Sequence, residues 1–167
     1  MDVSIKKMDK IRLLGYKERV NKENGSNFRR IPAFWSECAA DGRLKALQRY
    51  NDNPQLVSLG VCAHESETSF DYYIATGSKQ VAQDPLLHTL IIPTTTYAIF
   101  ESRGKIPEAL QATWKRIFLD WLPSSSYVLQ DGPQIEWYSL GDMATNDYES
   151  QVWIPVMKKR DNGLIEM

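Results

Sequence analysis

The chain carries only two cysteines in 167 residues, Cys38 and Cys62, in unlike contexts and without Cys-x-x-Cys spacing. This argues against a disulfide framework and fits a reduced cytosolic protein. No apolar run approaches the ~20 residues that span a membrane. The first residues, Met1-Asp2-Val3-Ser4-Ile5-Lys6-Lys7, hold no apolar signal core. The expected location is therefore cytoplasmic, with no membrane partner. Neither sign of charge is in excess, since 20 Lys and Arg against 21 Asp and Glu give a net charge of −1. That balance excludes a broad attraction to nucleic acid, and no direct nucleic-acid binding is expected. There is no Gly-rich phosphate loop, and Ser124-Ser125-Ser126 is not in a Gly-x-Ser-x-Gly context. His64-Glu65-x-Glu67 matches no standard metal spacing and reads as a solvated loop. No metal and no cofactor are expected.

What the chain does have is an ordinary globular composition, 43% hydrophobic and 25% charged, with five Trp and eight Tyr. One domain over residues 1–167 is expected from the length. The most informative segment is Pro133-Gln134-Ile135-Glu136-Trp137-Tyr138. Its alternation has the two-residue period of a strand, with Ile135 and Trp137 on an apolar face and Glu136 beside Tyr138 on the other. A carboxylate beside aromatic surface can attract an organic cation or move a proton. An ordinary solvent-facing Glu on a half-buried strand gives the same alternation.

The pattern predicts a strand over 11–20, a helix over 28–40 with a cap at Ser26 or Asn27, and a break at Gly42. Strands over 55–63 and 69–76 should form an antiparallel hairpin. Further strands are expected over 87–92 and 97–103. A helix follows from Ile106-Pro107, with Leu110, Trp114, Ile117, Phe118 and Trp121 on one stripe, ending at Leu122-Pro123. Strands over 134–140 and 149–157 complete the chain. Strand–helix–strand–strand thus occurs twice, over about 11–77 and 87–157, and both helices open near an Ile-Pro pair. The expected fold class is α+β: duplicated halves forming one curved antiparallel sheet, two main helices on one face and a central ligand groove on the other. His88, inside an apolar strand, reads as a packed histidine, Cys38 as core, and Arg29-Arg30 and Lys158-Lys159-Arg160 as solvated basic runs.

Several of these residues together resemble a known family. Tyr97-Ala98-Ile99-Phe100, Gly104, Trp114-Lys115-Arg116-Ile117-Phe118 and Trp121-Leu122-Pro123-Ser124-Ser125 look like the hallmark stretch of the GyrI-like, effector-binding proteins. Glu136-Trp137-Tyr138 resembles that family's Glu-x-Tyr strand, and Trp153-Ile154-Pro155-Val156 its terminal Ile-Pro strand. Leu14-Gly15-Tyr16 and Phe70-Asp71-Tyr72 are the best matches in the first half. The resemblance implies a groove with aromatic walls and a buried glutamate, at Glu136, that takes lipophilic cations. Family members often act as transcriptional drug sensors fused to a helix-turn-helix. About ten residues precede the first predicted strand here, too few for such a module, so regulation would need a partner protein. Other members resemble hydrolases of cyclopropane-bearing genotoxins, or DNA gyrase inhibitors.

Alternation along the strands assigns the expected walls. Glu136 and Tyr138 should face the groove and Ile135 and Trp137 the helices. Ala98, Phe100, Val152, Ile154 and Val156 should be core, with Tyr97, Ile99 and Trp153 on the groove side and Tyr73 across from them. The candidate ligand-binding residues are therefore Glu136, Tyr138, Tyr97, Trp153 and Tyr73. In a hydrolase, Glu136 would act as acid or base, with Tyr138 or Tyr97 positioning the substrate.

Overall fold

The computed structural model describes residues 2–159. Among them, nine strands and two helices of two turns or more alternate in an α+β arrangement, and the paired strands run antiparallel. They fall into two compact units, residues 10–93 and residues 2–9 with 94–159.

In the first unit, β2 (Ile11–Asn21) lies between β4 (Ser69–Gly77) and β5 (Leu87–Ile92), and β3 (Ser58–Ala63) pairs with β4 as the expected hairpin. Helix α1 (Ser26–Ala40) covers one face, followed by α2 (Arg43–Gln48). Neither Ser26 nor Asn27 caps α1. Gly25, in the left-handed region at φ 68°, holds the cap position, and the Ser26 hydroxyl donates back to the carbonyls of Asn21 and Glu23. The left-handed turn suits glycine, which lacks the Cβ that would clash there. Gly42 repeats the device ahead of α2 at φ 87°. Leu14, Tyr16, Val20, Phe34, Cys38, Leu47, Phe70, Tyr72 and Ile74 form the core between sheet and helices. Trp35 Nε1–H donates to the Tyr72 hydroxyl at 2.7 Å, which supplies the partner a buried indole needs. His88 is exposed on β5, which corrects its reading as a packed residue.

In the second unit the strand order is β1 (Val3–Met8), β6 (Thr95–Arg103), β9 (Glu149–Lys158), β8 (Gln134–Tyr138), and β7 (Tyr127–Leu129) pairs with the far end of β9. Strand β1 precedes the first strand expected from the sequence, over 11–20. Its pairing is with β6, whereas β5, which heads the later segment in sequence, pairs with β2 of the first unit. Helix α3 (Glu108–Arg116) covers one face of this sheet. Thr113 donates to the Ser102 hydroxyl at 2.9 Å, and Ser102 donates to the carbonyl of Ala109. The helix ends within one residue of the expected Leu122-Pro123, but its course there is not uniformly α-helical. It passes into a π-helical turn, Ile117–Trp121, and a last α turn to Ser124. The extra residue of a π turn rotates the facing of the side chains beyond it. Ile117 is fully buried and Trp121 meets Phe100 edge-on at 4.9 Å, while Phe118 turns outward and is 39% exposed. No helix among the described residues is long and apolar enough to cross a membrane. Arg160, the end of the terminal basic run, lies outside the described residues.

Candidate functional site

Strand register decides which residues share a face, because directly opposed residues point the same way. Glu136 lies opposite Val152, which lies opposite Phe100. Tyr138 lies opposite Ser150, and Ser150 opposite Ser102. Phe100 and Ser102 touch the helical segment, so this is the helix-bearing face. The expected facing of β8 is thus corrected: Glu136 and Tyr138 point toward α3, and Ile135 points away. The reason is that β8 buries both faces, with Ile135 fully buried and Tyr138 at 7% exposure. Alternation alone does not tell which of two buried faces carries the helix.

Glu136 is held by two neutral donors. Trp114 Nε1–H of α3 donates to Oε2 at 2.8 Å, and the Tyr138 hydroxyl donates to Oε1 at 2.9 Å. Its cross-strand neighbours, Val152 and Phe100, are fully buried and apolar. Among the described residues no Lys, Arg or His lies within salt-bridge reach of its carboxylate. Burial therefore pushes its pKa above the ordinary carboxylate value, while the two hydrogen bonds pull the other way. Protein atoms crowd the carboxylate, yet the residue as a whole is only half-buried. Nearby, the Ser150 hydroxyl is buried without a hydrogen-bond partner.

The remaining expected wall residues are not brought to this face. Trp153 lies opposite Ile135 and Ile99, on the side away from α3. Tyr97, on the same side, packs against Trp153 with ring centroids 5.8 Å apart and donates to the carbonyl of Pro133 at 2.8 Å. Tyr97, Ile99 and Trp153 are all buried. The bond to Pro133 braces the start of β8. Burial raises the Tyr97 phenol well above its ordinary value. Tyr73 belongs to the first unit and is buried on the face turned from α1, with its ring edge-to-face to His64 at 6.4 Å. His64 Nδ1 is 2.8 Å from Asp71 Oδ2, and Asp71 also pairs with Arg19. No metal-binding cluster of His, Cys, Asp or Glu occurs among the described residues.

Helical periodicity assigns Trp114 only to a core stripe and misses its bond to the acid. The signal in the sequence is an indole on an amphipathic stripe: a buried N–H needs an acceptor, and Glu136 is a polar residue among apolar neighbours. Trp114 also stacks on Phe118, centroids 6.0 Å apart and rings 7° from parallel.

The chain is similar over most of its length to several solved structures. SAV2435, solved bound to tetraphenylphosphonium, matches with 24% identity and a TM-score of 0.84, covering 93% of this chain and 94% of that one. A putative bacterial transcription regulation protein from Staphylococcus aureus MU50 matches with 25% identity and a TM-score of 0.77, covering 93% and 98%. The EcmrR C-terminal domain has the same fold at 14% identity and a TM-score of 0.61, covering 94% and 98%. No curated protein matches the chain. A family profile described as GyrI-like small molecule binding domain matches residues 1–157. The chain belongs to the family of GyrI-like small molecule binding domains.

Proposed function

We propose that this GyrI-like domain binds lipophilic organic cations, with Glu136 as the anion that receives them. One observation carries the reading: a crowded carboxylate is bonded only to an indole and a phenol, with no protein cation beside it. Loss of hydration disfavours the charge there, and an organic cation offsets that loss. Aromatic faces around it add about 0.5–2 kcal/mol per cation–π contact without demanding one ligand shape. The tetraphenylphosphonium held by SAV2435 is such a cation, which supports the same ligand class here. The likeness to the S. aureus transcription regulation protein supports a role linked to transcription regulation. The hydrolase alternative would use the same Glu136 and Tyr138 and gains no further residue from the structure. The gyrase-inhibitor alternative gains no observation.

The test compares two ions of one shape and opposite charge. Tetraphenylphosphonium should quench tryptophan fluorescence saturably and tetraphenylborate should not. Equal binding of the two, or no binding of the phosphonium, overturns the reading.

A further inference from the structure

We propose that Trp114 is the positioning residue of the Glu136 site and that its stacked partner Phe118 is the surface on which the apolar part of the cation rests. This rests on the proposed function and adds two residues and a direction of approach to it, from the helix-bearing face of the second unit.

Three observations converge. The Trp114 indole is fixed at both ends, its N–H on Glu136 Oε2 at 2.8 Å and its ring nearly parallel to Phe118. It is half-buried, whereas Phe118 is 39% exposed, so the pair leads from solvent down to the carboxylate. The π turn is what sets Phe118 outward while its neighbours Ile117 and Trp121 go inward. Phe118 leaves part of its ring in solvent beside its stack on Trp114. Beside an unneutralised acid it offers a ring face to a cation that also needs apolar contact. The charges are complementary, since the groups facing the carboxylate are Trp114 from α3, Tyr138 from β8, Val152 from β9 and Phe100 from β6. Tyr138 is the only titratable one, and Lys115 and Arg116, flanking Trp114, are exposed.

Each carboxylate oxygen accepts a single hydrogen bond from the protein, which leaves acceptor capacity on both. Trp114 thus orients the acid without using it up. Its N–H favours the ionised form, the form that attracts a cation.

The experiment titrates the full chain with tetraphenylphosphonium in four variants, each first shown by urea unfolding to be folded. Phe118→Ala should weaken binding about three- to tenfold, the size of one aromatic contact. Leu119→Ala, its neighbour at 69% exposure, should change affinity less than twofold. Trp114→Phe keeps a ring and removes the N–H. The pH at which cation binding is half-lost should then move upward, a change that a packing role would not produce. Unchanged affinity in Phe118→Ala, or an unmoved pH midpoint in Trp114→Phe, overturns the inference. If Glu136→Gln abolishes binding while both of those variants bind as wild type, the inference fails and the proposed function stands. If Glu136→Gln binds the phosphonium undiminished, both fail. Phe118 and Leu119 are surface residues, so their comparison remains informative even if Trp114→Phe does not fold.

Discussion

Trp153 stands directly across from Ile135 in the β8–β9 ladder, so its ring and the Glu136 carboxylate occupy opposite faces of the second unit's sheet. Trp153 is 4% exposed and packed on Tyr97. Trp153→Ala should lower stability by about 3–5 kcal/mol through the cavity it leaves, read as a shift in urea midpoint. Trp153→Phe should bind tetraphenylphosphonium within about twofold of wild type, a margin smaller than one lost aromatic contact.

Glu136→Gln should separate binding from stability. Its amide oxygen can accept from Trp114, and the Tyr138 hydroxyl can turn to accept from the amide nitrogen. Cation affinity should fall about 10–100-fold, the size of a lost charge-assisted contact. Stability runs the other way. Because burial raises the folded-state pKa of Glu136, its favourable contribution is complete below the unfolded-state pKa and is lost as pH rises through the folded value. Above the raised folded-state pKa the ionised side chain works against the fold, so there Glu136→Gln should melt no lower than wild type. A melting temperature of Glu136→Gln that falls further below wild type as pH rises would contradict this.

The pH profile of cation binding should follow the same group. Only the ionised carboxylate attracts the ligand, so affinity is full at high pH and declines as pH falls through the raised Glu136 pKa. The decline should begin above the range of an ordinary glutamate and should vanish in Glu136→Gln. Calorimetric titration across a pH series checks both.

The two thiols should react unequally. Cys38 is fully buried in the first unit's core, and burial raises its pKa, so it lacks both access and thiolate. Cys62 is half-buried on β3. A thiol reagent should modify Cys62 in the native protein and Cys38 only after denaturation, as mass spectrometry of the peptides would show.

Gly15 should tolerate no side chain. A Cβ there would come within 2.8 Å of the Ile74 carbonyl oxygen and 3.1 Å of Ala75 Cβ, across the β2–β4 ladder. Gly15→Ala should destabilise by about 1–3 kcal/mol with the denaturant slope unchanged.

Much of the fold is legible in the sequence because its elements are amphipathic and long. Strand β2, helix α1, the β3–β4 hairpin and strand β9 lie close to their expected bounds. Strand β1 is not legible, because Val3 and Ile5 alternate with Ser4 and Lys6 and stay more than a third exposed on an edge strand. Strand β7, at three residues, is too short to show a period. At the site, Glu136 and Tyr138 stand out by alternation with Ile135 and Trp137. Their partner Trp114 does not, because the bond joining it to Glu136 spans 22 residues of sequence and belongs to tertiary packing. Counting residues along each strand puts Tyr97 and Trp153 beside Glu136, but such a count fixes only the alternation within a strand and not the register between strands.

The pairing of β1 with β6 has a consequence for how the polypeptide can mature. On the ribosome, residues 3–8 emerge well before the strand that receives them, which ends only at residue 103. Until then that N-terminal ribbon has no ladder to join, while β2, β4 and β5 already find strands to pair with inside residues 11–92. Synthesis therefore completes the unit of residues 10–93 before the β1–β6 pairing can form, and severing the backbone at Asp9-Lys10 would strip a strand from the Glu136 unit without touching its acid.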